Sequence, residues 1–199
     1  MAIAEPLKPS RGGFQRPFGC ARFIVDFLQG KGPDYSVTSI DPAVGATQND
    51  ILASYKLALH LDWVNEQLAW ENEARLRKSL PTMNEAEENK RREYWTGCYP
   101  LGRCRMRYHS FLIYFGLLKR LGWVEPTGNE EPSVAQEMMA LEPEEERRAT
   151  GQPRIYYRIT SAGQQANQEV VSNPLMALYP QFSPDYFARK RAQHRYVKC

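Results

Sequence analysis

Apolar residues recur at helical spacing in "PFGCARFIVDFLQ" (residues 17–29), where Phe18, Phe23, Ile24 and Phe27 share one side. A short helix is expected there, ended by "GKGPD". "YSVTSI" (35–40) has the β-branched alternation of a short strand, and "DPAVGA" supplies turn residues after it. A long helix is then expected from Thr47, whose hydroxyl and Asp50 three residues later approximate a capping box. Leu52, Tyr55, Leu59 and Trp63 form one apolar stripe and Leu57, Leu61, Val64 and Leu68 an adjoining one, so the first half should be buried on two sides. Past Trp70 the residues turn charged, and the helix should project into solvent until Pro81, either to meet a second subunit or to end at the surface.

"NEAEENKRREYWT" (84–96) predicts a further helix, acidic in its first turn and basic later, in keeping with the helix dipole. "GCYPLG" (97–102) breaks it, and the next helix is expected from about Arg103 to Leu121, stopping at Gly122. "WVEP" reads as a short strand, 126–153 as an insertion, and "RIYYRI" as a strand with Ile155, Tyr157 and Ile159 on one face. Thr160 is a candidate N-cap for a helix in "TSAGQQANQEVV". Beyond it, three prolines and many aromatics predict a segment that wraps over the domain before a basic terminal helix.

Helix, short break, helix and a two-stranded antiparallel ribbon is the layout of a winged helix-turn-helix. "LLKRLGWVEPT" is similar to the end of the recognition helix and the first wing strand of MarR- and PadR-like regulators. "PRIYYRITSAGQQ" resembles their second wing strand, in which an Arg/Tyr-rich strand passes through a Thr-x-x-Gly step into a helix. The resemblance covers residues 84–170. It implies a mainly α fold with a small β wing (α+β), a winged-helix core carrying a long N-terminal helix and a C-terminal extension. It also implies a DNA-binding transcriptional regulator, dimeric through its helical extensions. The expected organisation is a leader (1–14), an N-terminal helical region (15–83), a winged-helix domain (84–170) with an insertion at 126–153, and an aromatic and basic extension (171–199).

Charge changes that picture in two ways. A net charge of +3 hides basic stretches: Lys90, Arg91, Arg92, Arg103, Arg105, Arg107, Lys119 and Arg120 face only Glu93 within 90–120. Such asymmetry suggests a polyanion partner, and double-stranded DNA is the expected one. Wound at about 100° per residue, the 103–121 helix should put Ser110, Phe111, Tyr114, Leu117, Leu118 and Leu121 in the core. Arg105, Tyr108, His109, Leu112, Gly116 and Lys119 should then face outward. Arg103, Arg105, Arg107, Tyr108 and His109 are the expected contacts at its N-terminal turn, joined by Lys119 and by Arg154 and Arg158 of the wing. Against this, residues 125–148 carry eight glutamates, where a wing that touches phosphate should be basic. The apolar run 111–118 also fits a helix buried between layers. A protein-docking platform, part of a larger nucleoprotein or viral assembly, is therefore the alternative, its partner held by 111–118 and the C-terminal extension.

Other classes find little support. No Gly-rich phosphate loop, nucleophile setting or His ligand repeat is present, so neither catalytic residues nor a cofactor are expected. Tyr156 or Tyr157 as a strand-transfer nucleophile is weaker than packing as an explanation. Cys98, Cys104 and His109 lack the second ligand pair of a structural zinc site, and reduced thiols are expected over a metal or a Cys98–Cys104 disulfide. "FLIYFGLL" (111–118) is too short to span a bilayer, and "MAIAEPLKPSRGG" lacks a secretory apolar core, so a cytoplasmic location is expected.

Overall fold

The computed structural model describes residues 19–31, 40–133, 153–179 and 181. Its elements are α1 (Cys20–Leu28), β1 (Ala46–Thr47), α2 (Gln48–Arg77), α3 (Glu85–Gly97), α4 (Leu101–Cys104), α5 (Tyr108–Arg120), β2 (Val124–Glu131) and β3 (Arg154–Ile159). Three short helices follow: α6 (Ser161–Gln164), α7 (Gln168–Ser172) and α8 (Pro174–Leu178). The fold is mainly helical with one small antiparallel sheet, an α+β arrangement. The described chain divides into two compact units, one spanning Lys56–Arg105 and the other formed by the segments up to Tyr55 and from Met106 onward. A boundary at 83/84 would fall inside the first of these.

In the second unit the sheet order is β1-β3-β2, with Ala46 opposite Tyr157 and Val124 opposite Ile159. Thr47 ends β1 and at once caps α2. Its hydroxyl lies 2.6 Å from an Asp50 carboxylate oxygen and accepts the Asp50 N–H at 3.3 Å, so strand passes into helix without a loop. Phe23, Ile24, Phe27 and Leu28 of α1 are buried together with Ile51, Leu52 and Tyr55 of α2 and Phe111, Phe115 and Leu118 of α5. The Phe115 ring meets Tyr157 edge-on at 4.8 Å, which ties α5 to the sheet. Each such side chain contributes roughly 1.5–3 kcal/mol by leaving water.

Several expected features are present in this unit. β3 covers "RIYYRI" as read from sequence, with Tyr157 and Ile159 buried. The Thr160 oxygen accepts the Gly163 N–H at 3.1 Å, as an N-cap does. Gly122 ends α5 at φ 67°, where the Trp123 N–H donates to the Leu118 carbonyl at 3.0 Å.

Other expectations need correcting. α5 begins at Tyr108, not Arg103, because Cys104 and Met106 are buried while Arg105 and Arg107 are exposed. That is a period of two, met by extended backbone at Arg105 and Arg107. The core strip of α5 is Phe111, Phe115 and Leu118, and Tyr114, expected inside, is 39% exposed. β2 continues past "WVEP" to Glu131, so the insertion starts later than residue 126. Pro126 is tolerated because β2 is an edge strand, where a missing N–H breaks no ladder bond. "TSAGQQANQEVV" holds two short helices instead of one. The strand expected at 35–40, save Ile40, and the terminal helix beyond 181 lie outside the described residues.

The Lys56–Arg105 unit is a helical hairpin. α2 buries Ala58, Leu59, His60, Val64 and Leu68, whereas Leu57, expected inside, is 46% exposed. Asn84 caps α3 with a full capping box to Glu87. α3 buries none of its own residues. It is held to α2 by polar contacts: Arg91 grips Glu71 with two guanidinium nitrogens, Trp95 Nε1 donates to Glu71 at 3.0 Å, and Arg92 donates to Asn65 at 2.6 Å. The distal part of α2, expected to stand in solvent, is therefore engaged within its own chain.

The hydrogen bond from Arg91 holds the Glu71 carboxyl below the usual carboxylate range, outweighing the opposing effect of burial. A folded-state pKa below the unfolded one adds stability above the unfolded value, and that stability disappears as pH falls through the folded value. The hairpin is thus expected to lose thermal stability from about pH 5 downward. Glu71→Gln should be less stable at neutral pH and show a shallower acid dependence. An identical acid slope in thermal scans of both proteins would remove Glu71 from the account.

Candidate nucleic-acid interface

α5 presents two opposite strips. Phe111, Phe115 and Leu118 face the core, and His109, Ile113, Gly116 and Arg120, at i, i+4, i+7 and i+11, lie diametrically across the helix. Ile113 is 54% exposed, and His109 and Arg120 are exposed. Arg107 occupies the N-cap position with extended backbone and makes no capping bond, and the first turn holds no acid. The orphan N–H groups and the positive end of the helix dipole therefore sit beside exposed Arg107 and His109. From Arg105 to Leu121 the chain has Arg105, Arg107, His109, Lys119 and Arg120 and no carboxylate.

The predicted contact residues separate into groups. Arg107, Tyr108 and His109 stand at the start of α5, while Arg105 is the C-cap of α4 and the last residue of the hairpin unit. Tyr108 donates to Gln48 at 3.2 Å. With Arg154, Thr47, Asn49 and Tyr157 it also lines a cleft of about 270 Å³. Lys119 sits over the Tyr157 ring, 5.3 Å from its centroid. Arg154 and Arg158 are cross-strand partners of carboxylates, with Arg154–Glu131 at 3.3 Å and Arg158–Glu125 at 2.9 Å.

Arg103 belongs to α4 and the hairpin unit, not to α5. Both of its terminal nitrogens reach Glu66, and one also reaches Asp62 at 3.2 Å. Its Nε is buried without a hydrogen-bond partner, so its guanidinium is committed to α2.

Tyr156 donates its hydroxyl to Glu131 at 2.5 Å, and this bond raises its pKa above the usual phenol value. That favours the neutral phenol, the opposite of an activated nucleophile. Among the described residues Cys20, Cys98 and Cys104 form no disulfide, and no cluster of His, Cys, Asp or Glu could hold a metal ion. Nor, among them, is any helix long and apolar enough to cross a membrane.

Sequence reasoning placed Gly116 on the outward face but did not put Ile113 and Arg120 there. Part of the signal was present, since Phe111, Phe115 and Leu118 repeat at i, i+4, i+7, but Tyr114, Leu118 and Leu121 share that spacing and pointed the strip elsewhere. No family model, curated protein or solved structure matches this chain.

Proposed function

We propose that the sheet-bearing unit is a winged helix-turn-helix that binds double-stranded DNA, acting as a transcriptional regulator without chemistry of its own. Its three helices would be α1, the first turns of α2, and α5 as recognition helix, with β2 and β3 as the wing. Supporting this is the order helix, short strand, helix, helix, strand, strand, with the short strand paired to the last one. The Lys56–Arg105 hairpin then stands as an insertion between the second and third helices, a different composition from residues 84–170.

The observation that carries the functional reading is the start of α5, where exposed Arg107 stands at an uncapped N-cap, His109 follows in a first turn without acid, and exposed Arg105 precedes them in the chain. Binding would combine phosphate neutralisation with limited groove readout. The wing pairs Arg154–Glu131 and Arg158–Glu125 are part-exposed ion pairs, which stabilise by only about 0–1 kcal/mol and exchange readily for phosphate.

With four cations on phosphates (Arg105, Arg107, Lys119, Arg120), affinity should fall about a hundredfold between 50 and 200 mM salt. An Arg105→Ala/Arg107→Ala variant should bind more weakly, with a log–log salt slope shallower by about two. Fluorescence anisotropy on duplex DNA measures both. Affinity indifferent to salt, or unchanged in the double variant, sinks the reading. What favours a protein partner instead is the hairpin, where α3 buries nothing and Trp70, Leu76, Leu80 and Tyr94 are exposed. Low-salt preparations that carry a stoichiometric protein and no nucleic acid would support that alternative.

A further inference from the structure

The outward strip of α5 has an uneven chemistry. Its ends are the polar side chains of His109 and Arg120, while its middle holds an exposed isoleucine and a glycine. Beyond its chain neighbours and its own helix backbone, a methyl group built on Gly116 would meet no atom of the described residues within 4 Å, so no packing contact among them calls for the missing side chain. Glycine is also the poorest helix former apart from proline. A bare position beside a lone aliphatic side chain, between ends whose N–H groups can donate to phosphate, is the relief of a surface that admits something polyanionic at close range. Eleven residues separate the ends of the strip, about 16 Å at the helical rise. The major groove is about 12 Å wide, so the ends would reach its phosphate walls while Ile113 and Gly116 lie over base edges.

Major-groove base edges offer one group that an aliphatic side chain can recognise, the C5-methyl of a pyrimidine. Resting on the DNA-binding reading above, we infer that Ile113 is a specificity-determining residue that packs on a thymine C5-methyl, with Gly116 setting the closeness of approach. Charged and polar side chains would read the neighbouring bases by hydrogen bonds, but Ile113 has none to offer. It therefore discriminates by burying a methyl or by leaving it absent.

Replacing thymine by uracil removes this methyl and keeps every hydrogen-bonding edge. The full chain is titrated against an alternating A·T duplex and its A·U counterpart at one salt concentration. The A·T duplex should bind about fourfold tighter for each methyl packed. Ile113→Ala should lower affinity for A·T, leave A·U unchanged and so abolish the difference. Gly116→Ala should melt higher than wild type yet weaken binding to both duplexes. A matched G·C-rich pair, with cytosine or 5-methylcytosine, separates the two sources of the methyl. A gain on methylation shows that the methyl suffices on either base, whereas no gain alongside an intact A·T preference assigns it to thymine.

Equal affinity for A·T and A·U, with salt-dependent binding intact, overturns this inference alone. So does a thymine preference that survives Ile113→Ala. No salt-dependent binding to any duplex overturns the underlying DNA reading as well. Since Ile113 and Gly116 lie outside the core, a melting curve confirms that both variants remain folded.

Discussion

Gly45→Ala is expected to destabilise the sheet-bearing unit by about 3 kcal/mol or more, from two additive causes. Gly45 has φ 78°, a left-handed conformation that costs an L-residue roughly 1–2 kcal/mol. A Cβ there would also stand 2.3 Å from the Tyr157 carbonyl oxygen and 2.9 Å from its carbon. Those are backbone atoms of the central strand, so no side chain can swing away. Relief requires β1 to withdraw from β3, which breaks the Ala46–Tyr157 and Thr47–Tyr156 pairing and disturbs the Thr47 cap of α2. Gly122→Ala separates the two causes. Gly122 also has positive φ, 67°, but an added Cβ meets nothing within 4 Å, so only the conformational cost of about 1–2 kcal/mol should appear. Urea unfolding of the two variants measures the difference. Equal losses would mean that the close approach to Tyr157 carries no energy.

The legible parts of this fold are those decided within a few residues. Thr47, Thr160 and Gly122 act through groups one turn away, so side-chain chemistry at each position was enough to place a helix end. β3 was legible because its alternation and β-branched or aromatic content agree. β1 left no such signal: it is two residues long, and its partners Tyr156 and Tyr157 lie more than a hundred positions away. The start of α5 was misread because "RCRMRY" was taken as helix, although its alternating burial of Cys104 and Met106 is a strand-like period.

The charged residues were hardest to place. Arg103 meets Glu66 across 37 positions and Arg158 meets Glu125 across 33. Composition reveals the basic excess and not which carboxylate each arginine meets. Only the folded register shows that Arg154 and Arg158 pair with carboxylates across the sheet while Arg103 pairs with α2.

Phe115→Ala should cost about 3–5 kcal/mol, the usual range for deleting a buried aromatic ring. Phe115 is 1% exposed, 5.7 Å from the Phe111 ring and 4.8 Å from that of Tyr157. Alanine would leave a cavity walled by two rigid rings, one on the same helix and one on the central strand, neither able to collapse inward without moving its backbone. Loss of that contact loosens α5 from β3, so the amides of 154–159 should exchange hydrogen faster. Two residues away, Ile113→Ala should change stability by no more than about 0.5 kcal/mol, because that side chain already stands in water. The contrast matters beyond stability, because the orientation of α5 decides which residues form its outward strip. If the two substitutions cost the same, the helix is rotated from this description. His109, Ile113, Gly116 and Arg120 would then no longer form one outward strip. Unequal costs, with Phe115 several kcal/mol the larger, fix the strip in place and make its binding chemistry testable one residue at a time.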